Sequence, residues 1–432
     1  MAQRGSEMDR RPKMAGRDRS APSGCQSRMK RDGLAVVGAK RFHRAMVPIM
    51  RLAVEMNFRR IRVLHAERMP REGAVLLVAN HPSTWTDVVL LDAVLGRRFH
   101  FLAQEEQFHP WPRKILLKLY GTLPLWSRER AVDAPVRNAD TFHRCEALFD
   151  HHEGVAAFPE GISRVDRGLL PLKHGASRLA LSYAERHDVP SSFALVPVGI
   201  YYSDRTAFRS DVAICVGNAI PSESLCPPGS VTPEEAASRL TERMDGAMRR
   251  LVLEGERRSH PEEFARLDRR GRAYERMRAA LGVSDAALAP RSPAGQIGGA
   301  IALVVGAVPA MAGLAIHAFP ALLTHVATQC YASHPSRVAF ARIASAFWLL
   351  LMTYTAGVLA LMALTQLRTV EILALALLSA LFGLFAVGYP DRARMEYERL
   401  RVAWISRRHG AFVRRTRRER EALLAQEERV LK

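Results

Sequence analysis

The sequence predicts an α/β domain, with a mostly parallel sheet flanked by helices, followed by a C-terminal helical transmembrane region. Between about residues 60 and 220, short apolar runs alternate with stretches of helical period, and this alternation is typical of parallel sheets. Nearer the C-terminus, two long segments contain no charged residue. The strand candidates are 74–80, 99–103, 154–159, 193–202 and 211–217, and the helix candidates are 86–95, 112–120, 136–151 and 172–187.

The parts of the 432-residue chain around these elements differ in composition. Residues 1–32 are basic and poor in aromatic side chains, so we expect a disordered N-terminus. Residues 33–230 would form the α/β domain, and 33–65 predict a helix that either packs on it or lies in the membrane interface. Residues 231–296 would be a helical extension and linker, because they are charged, helical in period and end in a Pro- and Gly-containing stretch.

The segment 297–390 predicts a membrane region. Residues 343–367 and 372–389 contain no charged side chain, and a bilayer span needs about 20 apolar residues. We therefore expect a transmembrane hairpin made of 343–367 and 370–389. Segment 297–327 is also apolar, but it contains two prolines and two histidines, and we expect it to be re-entrant or interfacial.

Charge and cysteine content restrict the partners of this chain. The formal net charge of +20 fits a membrane surface, an acidic substrate or nucleic acid, but no basic motif with interleaved aromatic residues predicts nucleic-acid binding. Arginines flank the membrane region on both sides, so we expect the α/β domain and the basic tail, 391–432, to be cytoplasmic parts of a multi-pass membrane protein. The five cysteines contain no C-x-x-C pair, and neither a metal site nor a disulfide framework is predicted.

The motif NHPSTWTD, residues 80–87, follows a predicted strand and precedes a predicted helix. An alcohol is a poor nucleophile at neutral pH, and the neutral imidazole of His81 suits the role of its general base. Asp87 could fix the tautomer of that ring and stabilise the imidazolium as it forms. The alternative is a purely structural motif, in which Thr84 is the N-cap, Asp87 lies in the first turn and His81 is an ordinary loop residue.

Four further motifs lie at predicted strand ends, turns or helix starts. Each alone fits a turn or a helix start, although Lys173 beside helix N-terminal amides also fits an anion site. These motifs are GTLPLWSR at 121–128, FPEGISR at 158–164, LLPLKHGA at 169–176 and VPVGIYY at 196–202, with FRS following at 208–210.

The ordered set NHPSTWTD, GTLPLWSR, FPEGIS and VPVGIYY resembles the four sequence blocks of the glycerolipid acyltransferase family. Within that family it looks most like the branch that acylates glycerol-3-phosphate or dihydroxyacetone phosphate. The resemblance implies the glycerolipid acyltransferase fold, with His81 as the general base and Asp87 as its partner. It also implies that Pro197 shapes the acyl-donor side, and that Gly121, Arg128, Glu160 and Gly161 help to hold the acceptor.

One position departs from the pattern of many members, which have an arginine three residues after the glutamate of the third block. Here that position is Ser163, and Arg164 follows it. We therefore assign Arg128, Lys173 and Arg209 as candidate replacements, since an arginine fork and a lysine suit a doubly charged phosphate.

The expected function is O-acyl transfer to glycerol-3-phosphate in phospholipid biosynthesis, with acyl-CoA or acyl-carrier protein as co-substrate and no cofactor. The first alternative is a 1-acyl-glycerol-3-phosphate (lysophospholipid) acyltransferase that makes phosphatidate. A more remote one is a non-catalytic basic membrane adaptor. The expected partners are a glycerol-phosphate acceptor, an acyl thioester donor and membrane lipids, without nucleic acid.

Overall fold

The computed structural model describes residues 41–109, 111–127, 132–162, 169–186, 193–220, 232–259, 269–332 and 334–430. The expectations for residues 1–32, Arg128, Ser163 and Arg164 lie outside these ranges.

The described part of the α/β domain contains a seven-stranded sheet with the strand order β1-β7-β6-β2-β5-β3-β4. Strands β6, β2, β5, β3 and β4 are parallel to one another, while β7 is antiparallel to β6 and pairs in parallel with β1. The prediction of a mostly parallel sheet is therefore confirmed. The strands are β1 Phe58–Leu64, β2 Ala74–Ala79, β3 Phe99–Gln104, β4 Leu123–Leu125, β5 Gly154–Ala157, β6 Phe193–Tyr202 and β7 Ser210–Val216.

Helices cover both faces of this sheet. Helices α1 and α2 lie on one face, and α4, α5 and α6 contribute buried side chains to the core on the other. Strand β2 shows how the two cores are separated: Val75 and Leu77 face the first, whereas Leu76 and Val78 face the second. The helices are α1 (residues 41–57), α2 Thr84–Val94, α3 Trp111–Tyr120, α4 Ala134–Asp150, α5 Gly175–Arg186 and α6 Pro233–Ser259.

The helix predicted over 33–65 is wrong at its C-terminal end. Helix α1 stops at residue 57, and the next seven residues form the edge strand β1. Three arginines in that strand concealed its apolar pattern, and an edge strand tolerates such charges because part of it faces solvent.

The C-terminal region consists of four helices in the part that is described. They are α7 Arg269–Leu281, α8 Pro293–Tyr331, α9 Val338–Leu364 and α10 Thr369–Val430. Helices α8, α9 and α10 are long and apolar enough to cross a membrane. The basic segment after residue 390 continues α10, bends at His409 and packs against α7 around Val402 and Val413.

These apolar helices contact the α/β domain at defined points. Arg209 pairs with Asp391 of α10 at 2.9 Å, and Arg342 near the start of α9 donates to the carbonyl of Thr206 at 2.6 Å. The connector between α8 and α9, residues 332–337, reaches the start of α2, where the carbonyl of Ser336 accepts a hydrogen bond from Ser83 at 3.1 Å.

The start of α8 also lies close to these points of contact. Arg291, just before the helix, pairs at 3.0 Å with Glu396, five residues beyond Asp391. Both ends of α8 are therefore tied to the side of the helices that carries the α/β domain. If α8 were straight, its 39 residues would place these two ends about 58 Å apart.

Candidate active site

The carboxyl ends of three neighbouring strands meet at one edge of the sheet. Strand β2 ends next to β5, where Val78 pairs with Ala157, and next to β6, where Ala79 pairs with Val198. The NHPST and FPEG loops therefore leave the sheet side by side, which is where open parallel sheets place their ligands.

His81 and Asp87 form a direct hydrogen bond at this edge. The Nδ1 atom of His81 lies 2.9 Å from Oδ2 of Asp87. Since a carboxylate only accepts hydrogen bonds, this contact places the ring proton on Nδ1 and leaves the lone pair on Nε2. No described residue bonds to Nε2, and 15% of the side chain is exposed. This is the arrangement that a general base requires.

Asp87 is completely buried and accepts two further hydrogen bonds. The backbone N–H of Ser83 donates to Oδ2 at 2.7 Å, and the hydroxyl of Tyr202 donates to Oδ1 at 2.7 Å. Burial, with the nearby charge of Asp87, raises the pKa of Tyr202 well above its ordinary value. The phenol therefore stays protonated and continues to donate to the carboxylate.

Asp87 also caps α2, so the functional and the structural interpretation of the motif both apply. The helix begins at Thr84 with Ser83 as its N-cap, one residue earlier than predicted. Thr84 has a φ of 30°, which is strained for a β-branched residue, and such strain is typical of functional sites. Its hydroxyl lies 3.1 Å from that of Ser336 in the α8–α9 connector.

The imidazole of His81 is held in plane by aromatic stacking. Its ring lies on that of Phe158, with centroids 4.0 Å apart and 17° between the planes. Phe158 in turn stacks on Phe101 of β3. These contacts restrict rotation of the ring about its hydrogen bond to Asp87, which that bond alone leaves free.

Glu160 fixes the backbone of His81 and of Leu170. Its Oε1 accepts the N–H of His81 at 2.7 Å, and its Oε2 accepts the N–H of Leu170 at 3.1 Å. The side chain is 5% exposed, and burial raises the pKa of its carboxyl despite these two N–H donors. Its predicted contact with the acceptor stays untested.

Gly161 and Lys173 lie together beside Glu160. Gly161 has a φ of 73°, and a Cβ at this position would lie 2.9 Å from Cε and 3.0 Å from Nζ of Lys173. The N–H of Lys173 donates to the carbonyl of Pro159 at 2.8 Å, while its side chain is exposed at the start of α5. The structure therefore places one predicted phosphate-binding cation next to the His81 loop.

Gly121 and Arg209 make their contacts elsewhere. Gly121 turns the chain between α3 and β4 with a φ of 82°, and a Cβ there would lie 2.7 Å from His100. Arg209 donates to the carbonyl groups of Glu55 and Phe58 at the end of α1, besides pairing with Asp391. Their predicted contacts with the acceptor stay untested, and both have structural roles in this fold.

Sequence reasoning missed three contributors. Tyr202 closes the VPVGIYY block and Phe158 opens the FPEG block, so their motifs contained a signal. Ser336 has none, because it lies in a connector 253 residues from Ser83. Pro197 is buried within β6 beside Val78, and its predicted role on the donor side stays untested. Among the described residues, no cluster of three or more His, Cys, Asp or Glu could hold a metal ion.

Residues 60–201 match the family model described as Acyltransferase. By this match the α/β domain is an acyltransferase domain. A stretch of 88 residues is 36% identical to glycerol-3-phosphate O-acyltransferase 2 of Saccharomyces cerevisiae, and it covers 20% of this chain. This match spans only about a tenth, 11%, of the length of the yeast protein.

A solved structure, the 1-acyl-sn-glycerophosphate acyltransferase PlsC from Thermotoga maritima, overlaps this chain with a TM-score of 0.37 and 17% identity. The overlap covers 52% of this chain and 87% of the Thermotoga protein.

Removing the Tyr202 hydroxyl is expected to slow turnover with little change in the KM for either substrate. The variant Tyr202→Phe leaves Oδ1 of Asp87 without its donor, and a hydrogen bond to a charged group contributes about 1.5–3 kcal/mol, or roughly tenfold or more in kcat. Steady-state kinetics on purified protein would measure this. Tyr201→Phe, at the neighbouring position on the same strand, is the control, and equal kcat values for the two variants would contradict the role of Tyr202.

Removing the charge of Lys173 is expected to weaken acceptor binding. For Lys173→Met we expect the KM for the phosphorylated acceptor to rise at least about tenfold, because a charge-assisted contact is lost, while the KM for the acyl donor stays the same. Lys118→Met, at an exposed position of α3, is the control. A selective rise in the KM for the donor would assign Lys173 to the other substrate.

Proposed function

We propose that this chain transfers a fatty acyl group from acyl-CoA or acyl-carrier protein to a hydroxyl of glycerol-3-phosphate. The observation that carries the proposal is the His81–Asp87 pair, whose Nε2 is open at the edge of the sheet. The acceptor class is supported by the name of the yeast relative and by the exposed ammonium of Lys173 beside the same loop.

The reaction follows from this geometry. Nε2 of His81 takes the proton of the acceptor hydroxyl as its oxygen attacks the thioester carbonyl. Asp87 holds the ring in the required tautomer and stabilises the imidazolium that forms. The thiol of the donor leaves with a proton, which His81 can return, and no acyl-enzyme is needed. General-base assistance of this kind contributes about 10²–10⁴-fold to the rate.

The test is acyl transfer by membranes containing the full chain. Labelled acyl-CoA or acyl-carrier protein is supplied with glycerol-3-phosphate or with 1-acyl-glycerol-3-phosphate, and the lipid products are separated. We expect label in lysophosphatidate from glycerol-3-phosphate, and a loss of about 10²–10⁴-fold in kcat for His81→Ala. Label in phosphatidate, formed only from the acylated acceptor, would assign the alternative activity.

A matched control exists for this variant. His109 also contacts a carboxylate, Glu105, at 2.9 Å, but 68% of its side chain is exposed. His109→Ala is expected to keep full activity. Transfer by His81→Ala at the rate of His109→Ala would remove the proposed mechanism.

We further propose that α9 and α10 form a transmembrane hairpin and that α8 has both ends on the cytoplasmic side. The connector after α8 contacts the catalytic loop through Ser336, and the segment before it contains Arg291 beside Glu396. A helix that crossed the bilayer once would separate these two ends. Arg392 and Arg394 follow the apolar part of α10, as the positive-inside rule requires for a cytoplasmic end.

Thiol labelling tests this arrangement. Cys330 is exposed at the end of α8, whereas Cys145 and Cys215 are buried, and burial raises the pKa of Cys145 to about 12. With Cys25 and Cys226 replaced by serine, a membrane-impermeant maleimide should label Cys330 in inside-out vesicles and not in right-side-out ones. In a Cys330→Ser background, Leu367→Cys in the α9–α10 turn should show the reverse. Labelling of both positions from one side would contradict the hairpin.

A further inference from the structure

A cavity of about 1390 Å³ lies between the edge of the sheet and the apolar helices. Its walls come from β1, from the first half of α8 and from α10 around residues 385–399. None of the described residues that line it belongs to the His81–Asp87 site. It is therefore a second feature of the fold, at the junction of the α/β domain with the membrane helices.

The cavity is strongly basic. Ten arginines line it against five carboxylates, and every one of those carboxylates already pairs with an arginine of the lining. The described lining therefore contains more arginines than carboxylates. The pairs are Arg59–Asp211, Arg209–Asp391, Arg291–Glu396, Arg399–Glu396, Arg394–Glu398 and Arg420–Asp285.

Two of the remaining arginines belong to different elements of the fold. Arg60 belongs to β1 and has no carboxylate partner among the described residues. Arg392 belongs to α10 and lies over the ring of Phe385, with its guanidinium carbon 5.6 Å from the centroid. Guanidinium groups form forked hydrogen bonds with phosphate oxygens, so two of them lining one cavity suit a phosphate group.

The cavity becomes apolar along α8. Its polar end lies at Gly299, beside the Arg291–Glu396 pair, and its lining continues to Val305 and Pro309. The rise between Gly299 and Pro309 is about 15 Å along the helix axis. Phe385 lines the opposite wall at the apolar end. A ligand that fits this lining has an anionic head and a hydrocarbon tail.

We propose that this cavity binds an anionic phospholipid, with its phosphate between Arg60 and Arg392 and an acyl chain along α8 and α10. This inference goes beyond acyl transfer, because the described lining contains neither His81 nor Asp87, although it includes Arg209. The bound lipid bridges strand β1 of the α/β domain and helix α10. It thereby fastens the catalytic domain to the bilayer and makes that attachment depend on lipid charge.

The test uses the full-length protein in neutral detergent, titrated with phosphatidylglycerol or with phosphatidylcholine. Bound lipid is counted by native mass spectrometry, and the unfolding temperature is followed in parallel. We expect phosphatidylglycerol to bind and to raise the unfolding temperature more than phosphatidylcholine does. The double variant Arg60→Gln/Arg392→Gln should lower the affinity for phosphatidylglycerol about 25-fold, and Arg392→Gln alone about fivefold, at roughly fivefold for each arginine.

The control is Arg239→Gln/Arg243→Gln, which removes the same charge from two exposed positions of α6 and should bind phosphatidylglycerol like the unmodified chain. His81→Ala should do the same, so that the lipid site and the catalytic proposal can fail separately. Equal binding of the two lipids, or unchanged binding by Arg60→Gln/Arg392→Gln, would overturn the proposal. Displacement of phosphatidylglycerol by equimolar inorganic phosphate or glycerol-3-phosphate would also overturn it, because the site would then recognise a soluble phosphate.

Discussion

The buried carboxylate of Asp87 is the constraint on which the rest of the site depends. An ionised carboxylate without solvent is strongly unfavourable unless it is fully hydrogen-bonded, and Asp87 obtains its donors from His81, Ser83 and Tyr202. Two of these donors lie in its own loop, while the third lies at the end of β6. The site therefore exists only when β2 and β6 pair in the observed register, which makes the acid–base pair a product of the whole sheet.

The sequence predicted the parts of this arrangement that are local. His81 and Asp87 lie six residues apart across a strand, a loop and a helix start, and that spacing brings the ring and the carboxylate together. Tyr202 is 115 residues from Asp87, and only the register of two parallel strands brings it there. The edge strand β1 was hidden for a similar reason, since its arginines obscure the alternation and its strand identity depends on pairing with β7.

Motifs indicated which segments matter, but not which way their polar groups point. Glu160 and Gly161 are at the site as the third block implies, yet the carboxylate of Glu160 turns inward to the backbone N–H groups of His81 and Leu170. Arg209 was a reasonable phosphate ligand by charge alone. In the fold its guanidinium donates to the carbonyl groups of Glu55 and Phe58 and to Asp391. The charge of an arginine can be read from a sequence, whereas the hydrogen-bond partners of its guanidinium cannot.

The contacts of Ser336 have a mechanical consequence. Ser83 and Thr84, the two residues that begin the helix of Asp87, both hydrogen-bond to this one connector residue. A shift of α8 and α9 relative to the α/β domain would therefore strain these two hydrogen bonds at the start of α2, close to the His81 ring. The start of α2 is thus held in part by a residue outside the α/β domain, and an α/β domain produced alone would lack both hydrogen bonds.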